Sequence, residues 1–246
     1  MADAENIASK QKQISISEFF EKNKHFLGFD TLQRAVITAV KEAVDNSLDA
    51  CEEARILPTI KVEINKLKGD KLELICQDNG PGIPRNSVEN VFGKFLLGSR
   101  FHAIRQTRGQ QGIGITGVVM YSQLTTGSKT HVTSKIKSDS SAVHVDLGLD
   151  TRKNKATKSN EIRDVWFEDG EEVVSGLKIK TVMKAKYQRG RQSVHQYLRM
   201  TSIVNPHATI QLIVRDSDGE IIDQGHWIRT TEKLPRVVEE IKPHPH

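Results

Sequence analysis

The chain has 246 residues, of which 37% are hydrophobic and 27% are charged, and its formal net charge is +5. At roughly 150 residues per domain, this length allows one large domain or two small ones. The sequence has no run of about 18 apolar residues, so we expect no membrane-spanning segment and no membrane partner. The polar first residues lack the apolar core of a secretory signal peptide, and the only two cysteines, Cys51 and Cys76, are expected to be free thiols. These features favour a cytoplasmic protein.

Two helices are predicted at the start of the chain. Residues 14–29 form a short amphipathic pattern with three phenylalanines as core anchors. A second helix is predicted from a cap at Asp30 or Thr31 to about Arg55, before Pro58. Its larger apolar residues recur every four positions, which indicates one buried face: Val36, Val40, Val44 and Leu48.

Strands are predicted where apolar and polar residues alternate. Residues 59–66 and 71–77 form a predicted hairpin, and residues 131–138, 141–149 and 176–185 form further strands. Because of its many charges, the segment 150–164 is predicted to be a solvated loop.

The remaining elements decide the fold class. Short helices are predicted near residues 86–97 and from about Gly112, and Ser193 is predicted to cap a helix that ends at Val204. Residues 208–225 form a predicted hairpin that turns at the sequence SDG. Helices and strands alternate irregularly, and this favours an α+β sandwich with a mixed sheet over a doubly wound parallel sheet.

The helix predicted over residues 31–55 carries an acidic face beside its apolar one. Glu42, Asp45, Asn46 and Asp49 are spaced i, i+3, i+4 and i+7, so they share one side of the helix. This face is either an ordinary solvated surface or a site for a divalent cation. No lysine or arginine lies between Glu42 and Glu52, and Mg²⁺ prefers oxygen ligands, so the pattern suits a cation.

The first glycine motif, DNGPGI (78–83), directly follows a predicted strand. It is either a simple tight turn or a place where a ligand presses against the backbone. In the second case Asp78 could accept a hydrogen bond from an amino group, while Gly80 and Gly82 leave room for the ligand.

The second glycine motif, GQQGIG (109–114), enters a predicted helix, whose N-terminal N–H groups favour phosphate. Residues 80–117 hold eight of the 17 glycines and five basic residues against one acidic residue. Gly112, Gly114 and Gly117 also match the dinucleotide fingerprint. That fingerprint requires a preceding strand, and the sequence RFHAIRQTR is not one, so we reject a dinucleotide-binding fold.

In this order, the three motifs resemble those of the GHKL ATPases: E-x-x-x-N on a helix, D-x-G-x-G after a strand, and a glycine-rich lid. The resemblance covers residues 36–117. Within that superfamily, the segments EAVDNSLDA, DNGPGIP and RQTRGQQGIGI are similar to the ATPase subunits of archaeal type IIB DNA topoisomerases, and this likeness covers essentially the whole chain. The resemblance implies the GHKL (Bergerat) fold, a two-layer α/β sandwich with a mixed sheet that binds ATP and Mg²⁺.

The resemblance also implies roles for single residues. Glu42 would activate water for attack on the γ-phosphate, Asn46 would hold Mg²⁺, and Asp78 would read adenine beside Gly80 and Gly82. The lid that wraps the triphosphate would consist of Ser99, Arg100, Arg108, Gly109, Gln110, Gln111, Gly112, Ile113, Gly114 and Ile115.

At the level of the whole protein, the resemblance implies ATP-driven dimerisation that gates the passage of duplex DNA and relaxes supercoils. DNA cleavage would belong to a separate A subunit in an A2B2 heterotetramer. Residues 1–20 would form a strap that crosses onto the second copy, residues 21–230 the ATP-binding domain, and residues 231–246 a linker toward a helical insert and a transducer domain. Neither of these domains is present here, so hydrolysis by this chain alone is expected to be weak.

Three alternatives remain at this stage. A mismatch-repair ATPase has a very similar helix, although the lid sequence favours the topoisomerases. A sensor histidine kinase shares the nucleotide pocket, but it requires an upstream phosphoacceptor histidine, and only His25 precedes the pocket. The third alternative is a nucleotide-gated dimerisation module with little turnover of its own.

Overall fold

The structure of the chain is a computed structural model. It describes residues 27–93, 114–150 and 155–236, together with Glu18, Phe20, Lys22, Lys24 and His25. Most of the predicted strap (1–20) and residues 237–246 of the predicted linker lie outside the described residues. So do the predicted lid residues from Ser99 to Ile113.

Within the described ranges, the chain forms four helices and ten strands. The helices are α1 (Leu32–Glu53), α2 (Arg85–Gly93), α3 (Gly114–Thr126) and α4 (Val194–Val204). The strands are β1 (Thr59–Lys66), β2 (Lys71–Asp78), β3 (Thr130–Lys135), β4 (Ala142–Asp150), β5 (Lys155–Asp164), β6 (Phe167–Glu168), β7 (Glu171–Glu172), β8 (Gly176–Lys184), β9 (Thr209–Arg215) and β10 (Ile221–Trp227).

Eight strands form one sheet in the order β10-β9-β1-β2-β8-β3-β4-β5, and β6 pairs only with β7. The pair of β1 and β9 is parallel, and every other neighbouring pair of the sheet is antiparallel. The sheet is therefore mixed, as the sequence predicts, and it is not a doubly wound parallel sheet.

Helices cover one face of this sheet. Buried and less buried residues alternate along β1, β2 and β9, as expected for strands with one face packed on a core. α1 and α3 pack against each other and against β8, while α4 packs against α1, β9 and β10. The architecture is a two-layer α/β sandwich, which confirms the predicted fold class.

Helix α1 begins where the sequence places a cap. The Thr31 side chain, and not that of Asp30, accepts a hydrogen bond from the Arg34 backbone N–H at 3.2 Å. Asp30 instead forms an ion pair with the Arg34 side chain at 2.8 Å. The side chains predicted for the buried face are all buried, so the four-residue periodicity correctly identifies the core side of α1.

The predicted loop over residues 150–164 is wrong, because residues 155–164 form β5. This strand lies at the edge of the sheet and pairs antiparallel with β4. An edge strand needs a partner on one side only, and charged residues commonly occupy such edges, so its sequence resembles a loop. Most of its residues are exposed, while Ala156 is 7% exposed and joins the core.

Within the described ranges, no helix combines the length and the apolar character that crossing a membrane requires. Both cysteines are buried and free.

Candidate functional site

The acidic face of α1 meets the start of α3. Glu42 is half-buried, and a Cβ atom added to Gly114 would lie only 1.8 Å from its Oε2 atom and 2.5 Å from its Cδ atom. Only glycine leaves room for this carboxylate, because any side chain at position 114 would displace it. The first residue of α3 is therefore in direct contact with Glu42, although 72 positions separate them in the sequence.

The environment of Glu42 favours its protonated form. Burial raises the pKa of its carboxyl group, the nearby Lys41 partly lowers that pKa, and the negative charge of Asp45 raises it again. The net effect is a pKa above the usual value for glutamate. A carboxylate with a raised pKa is a better proton acceptor, as a general base requires.

Asp78, the last residue of β2, is only 5% exposed, and both of its carboxylate oxygens accept hydrogen bonds. Its Oδ2 atom accepts a hydrogen bond from the Ser47 hydroxyl of α1 at 2.7 Å. Its Oδ1 atom accepts from the backbone N–H groups of Gly80 at 2.9 Å and Leu177 at 3.2 Å. Burial raises the pKa of Asp78, and these hydrogen bonds offset part of the increase.

Glycine occupies positions 80 and 82, shortly after Asp78, for different structural reasons. A Cβ atom at Gly80 would lie 3.2 Å from Cys51 Sγ of α1, so this glycine permits close packing of the turn on the helix. Gly82 has a φ angle of +72°, and its Cβ atom would lie 2.1 Å from the Lys135 carbonyl oxygen. At Gly82, glycine is therefore required by contact with β3 and not only by access for a ligand.

Both carboxylate oxygens of Asp45 have partners, so this part of the acidic face is balanced by neighbouring groups. Its Oδ2 atom forms an ion pair with Lys41 Nζ at 2.9 Å, one turn earlier in α1. Its Oδ1 atom accepts a hydrogen bond from the Tyr197 hydroxyl of α4 at 2.9 Å. Both partners lie outside the interval between Glu42 and Glu52: Lys41 directly precedes it, and the hydroxyl group belongs to a distant helix.

Asn46 has the properties expected of a ligand for Mg²⁺. Its side chain is half-buried on the same face as Glu42, and it forms no hydrogen bond to any other described residue. The described residues contain no cluster of three or more His, Cys, Asp or Glu side chains that could enclose a metal. A single amide oxygen fits Mg²⁺, which is typically held by few protein ligands together with water and phosphate oxygens.

The structure thus places Gly114 against Glu42 in the middle of α1, and it places Asp78 against Ser47, the residue that follows Asn46. Ile115 is partly buried, and its side chain packs against the core. Sequence reasoning missed Ser47, the serine that holds Asp78. It also missed Gly176, where a Cβ atom would lie 2.2 Å from the Asp78 carbonyl oxygen. A serine within a helix gives no local indication that it holds another side chain. A glycine at the start of a strand, in contrast, is a recognisable sign of a close backbone contact.

The segment that carries these residues is similar to a known family. Residues 31–151, which include α1, the turn after β2 and α3, match the family model described as histidine kinase-, DNA gyrase B-, and HSP90-like ATPase. The chain carries an ATPase domain of this family. The matched segment contains every residue that the sequence analysis predicted for the site.

Curated relatives extend the similarity over nearly the whole chain. The chain is 50% identical over 244 residues to the B subunit of type 2 DNA topoisomerase 6 from Methanosarcina acetivorans, an alignment that covers 98% of this chain and 38% of that protein. It is 48% identical over 241 residues to the protein of the same name from Archaeoglobus fulgidus, with the same two shares. For the Natronomonas pharaonis relative of that name the identity is 49% over 243 residues, covering 99% of this chain and 29% of that protein. The chain therefore spans less than two fifths of the length of these relatives.

Proposed function

We propose that this chain is the ATP-binding and hydrolysing domain of a type IIB DNA topoisomerase subunit. In this proposal, ATP drives dimerisation of the subunit and gates the passage of duplex DNA, while a separate A subunit cleaves the DNA. The identity of 48–50% to archaeal topoisomerase 6 B subunits supports the assignment. The contact between Gly114 and the Glu42 carboxylate is the structural observation that carries the ATPase part.

The residues on α1 and beside it would have separate roles. Glu42 would accept a proton from the attacking water, and Asn46 would hold Mg²⁺ through its amide oxygen. Asp78, fixed by Ser47 and two backbone N–H groups, would accept a hydrogen bond from the adenine amino group. When bound, Mg-ATP supplies the γ-phosphate and the positive charge that stabilises its transfer. For Ser99, Arg100 and residues 108–113, contact with the triphosphate remains a prediction, since they lie outside the described residues.

A basic patch where β2 begins and β8 ends supports duplex DNA as a partner. Lys71 on β2 lies directly opposite Lys184 on β8, and Lys68 and Lys186 flank this pair along the chain. All four are exposed, and none forms an ion pair with another described residue. Like charges directly opposite each other on a sheet are destabilising by themselves, so a polyanion would relieve their repulsion. The cytoplasmic location suggested by the free cysteines likewise remains a prediction.

The proposal is tested first by calorimetric titration of this chain with a non-hydrolysable ATP analogue, and by phosphate release from ATP. Glu42→Ala is expected to keep nucleotide binding and to abolish hydrolysis. Glu52→Ala changes the same residue type on the same helix at a position that contacts His207, and is expected to hydrolyse ATP normally. Wild-type turnover in Glu42→Ala would contradict the assignment of Glu42 as the base. Binding without any turnover in the unmodified chain would favour the nucleotide-gated module.

The adenine assignment has its own test. Asp78→Asn is expected to lose the preference for ATP over GTP, because an amide would present a different donor and acceptor pattern to the base. An unchanged ATP affinity together with an unchanged preference would place the base elsewhere. Sedimentation with and without the ATP analogue then tests dimerisation, for which the proposal expects a dimer only with nucleotide.

A further inference from the structure

The Asp45 carboxylate lies between the two α1 residues to which the proposed function gives chemistry. It follows Glu42 by three positions and directly precedes Asn46, and it is only 9% exposed. Both of its oxygens already have partners, namely the Tyr197 hydroxyl and the Lys41 ammonium group, each at 2.9 Å. Asp45 is therefore an anchor of this helix face.

Tyr197 connects that anchor to a second helix. It lies on α4, 152 positions further along the chain, and its ring packs against the hydrophobic core. Burial raises the pKa of its hydroxyl, and the negative charges of Asp45 and Glu42 raise it further. The hydroxyl therefore stays protonated as a hydrogen-bond donor, and it lies within electrostatic reach of Glu42.

We infer that Tyr197 is a positioning residue for the ATPase site: through Asp45, its hydroxyl holds the α1 face that presents Glu42 and Asn46. This inference rests on the proposed function and adds to it a residue on α4, outside the glycine motifs and outside the segment 31–151 that matches the family model. A hydrogen bond to a charged acceptor is stronger than one between neutral groups. Without the hydrogen bond from Tyr197, the Asp45 carboxylate would turn toward another donor, and the side chains of Glu42 and Asn46 would move with it.

The test removes only the hydroxyl group. Tyr197→Phe keeps the ring and therefore the packing of α4. Tyr187→Phe is a matched control, because the Tyr187 ring likewise packs in the hydrophobic core and its hydroxyl also donates to an aspartate, Asp223 on β10. For each variant we would measure turnover, the melting temperature, and nucleotide affinity by calorimetry in Mg²⁺ and in EDTA.

Tyr197→Phe is expected to lower turnover by about tenfold, since displacements of about 1 Å in a catalytic group have effects up to about a hundredfold. It is also expected to lower, by several-fold, the ratio of nucleotide affinity in Mg²⁺ to that in EDTA, because Asn46 directly follows Asp45. Tyr187→Phe should change neither quantity. In an Asp45→Ala background, which removes the acceptor, adding Tyr197→Phe should have no further effect, since the tyrosine acts through this carboxylate.

The measurements separate positioning from simple stabilisation. A structural role alone would lower the melting temperature and leave the affinity ratio and turnover unchanged, and that result would overturn the inference. So would equal behaviour of the two phenylalanine variants. If the unmodified chain binds no nucleotide, the proposed function fails and this inference fails with it. If it binds normally and Tyr197→Phe matches it in both quantities, only the positioning role is refuted.

Discussion

The contact between Gly114 and Glu42 allows the proposed base to be displaced without touching it. In Gly114→Ala, the new Cβ atom would lie 1.8 Å from Glu42 Oε2. Non-bonded heavy atoms are in contact at about 3.5 Å, so the carboxylate has to retreat by roughly 1.5 Å or more. Because this carboxylate is the end of a flexible side chain, the side chain yields more easily than either helix backbone.

The expected consequence is a folded protein with poor catalysis. Alanine is favoured over glycine within helices by up to about 1 kcal/mol, so the melting temperature should change little. A shift of about 1 Å in a catalytic group can reduce the rate roughly a hundredfold, equivalent to about 2.7 kcal/mol of transition-state stabilisation. We therefore expect turnover of Gly114→Ala to fall between tenfold and a hundredfold.

The assay is phosphate release at saturating ATP, with binding of the ATP analogue measured in parallel. Gly117→Ala is the matched control on the same helix, since its added Cβ atom would meet Phe29 and Phe20 at ordinary contact distances of 3.7 and 3.8 Å. It should retain normal turnover. Normal turnover in Gly114→Ala would refute the reasoning. A large loss of stability in that variant alone would show that the backbone, and not Glu42, absorbs the clash.

Two further predictions concern stability. Gly82→Ala should lower the free energy of unfolding by at least about 2 kcal/mol more than Gly69→Ala: both glycines have φ near +70°, but only Gly82 would place its Cβ atom 2.1 Å from the Lys135 carbonyl oxygen. Equal losses in chemical denaturation would contradict this. Burial raises the pKa of Asp223, but the hydrogen bonds from Tyr187 and His195, together with the electrostatic attraction of His195 and Arg189, outweigh burial and lower this pKa. The stability that this carboxylate contributes is therefore present above the ordinary aspartate pKa near 4 and lost as pH falls below it. Asp223→Asn should be less stable than the unmodified chain at pH 7, with a difference that shrinks at pH 3, and a constant difference would refute the argument.

Much of the fold could be predicted because its signals are local. The four-residue period of α1 and the alternation in β1 and β2 each follow from a single amphipathic element that must bury one face. The predicted hairpin over 59–66 and 71–77 agrees with β1 and β2 to within one residue. β5 could not be predicted in this way, because an edge strand is held by backbone hydrogen bonds to β4 and buries little of its own sequence.

The candidate site shows the same division. The sequence by itself determined which residue types could perform the chemistry, since Glu42, Asn46 and Asp78 occur in motifs whose spacing is legible within a few residues. Only the tertiary structure decided how they are held. Ser47 reaches Asp78 across 31 positions, and Tyr197 reaches Asp45 across 152. Hydrogen bonds of this kind depend on which helices and strands become neighbours in the packed sandwich. No pattern of adjacent residues encodes them. The partners of the polar residues on α1 are therefore known only from the packing of α1, α4 and the end of β2.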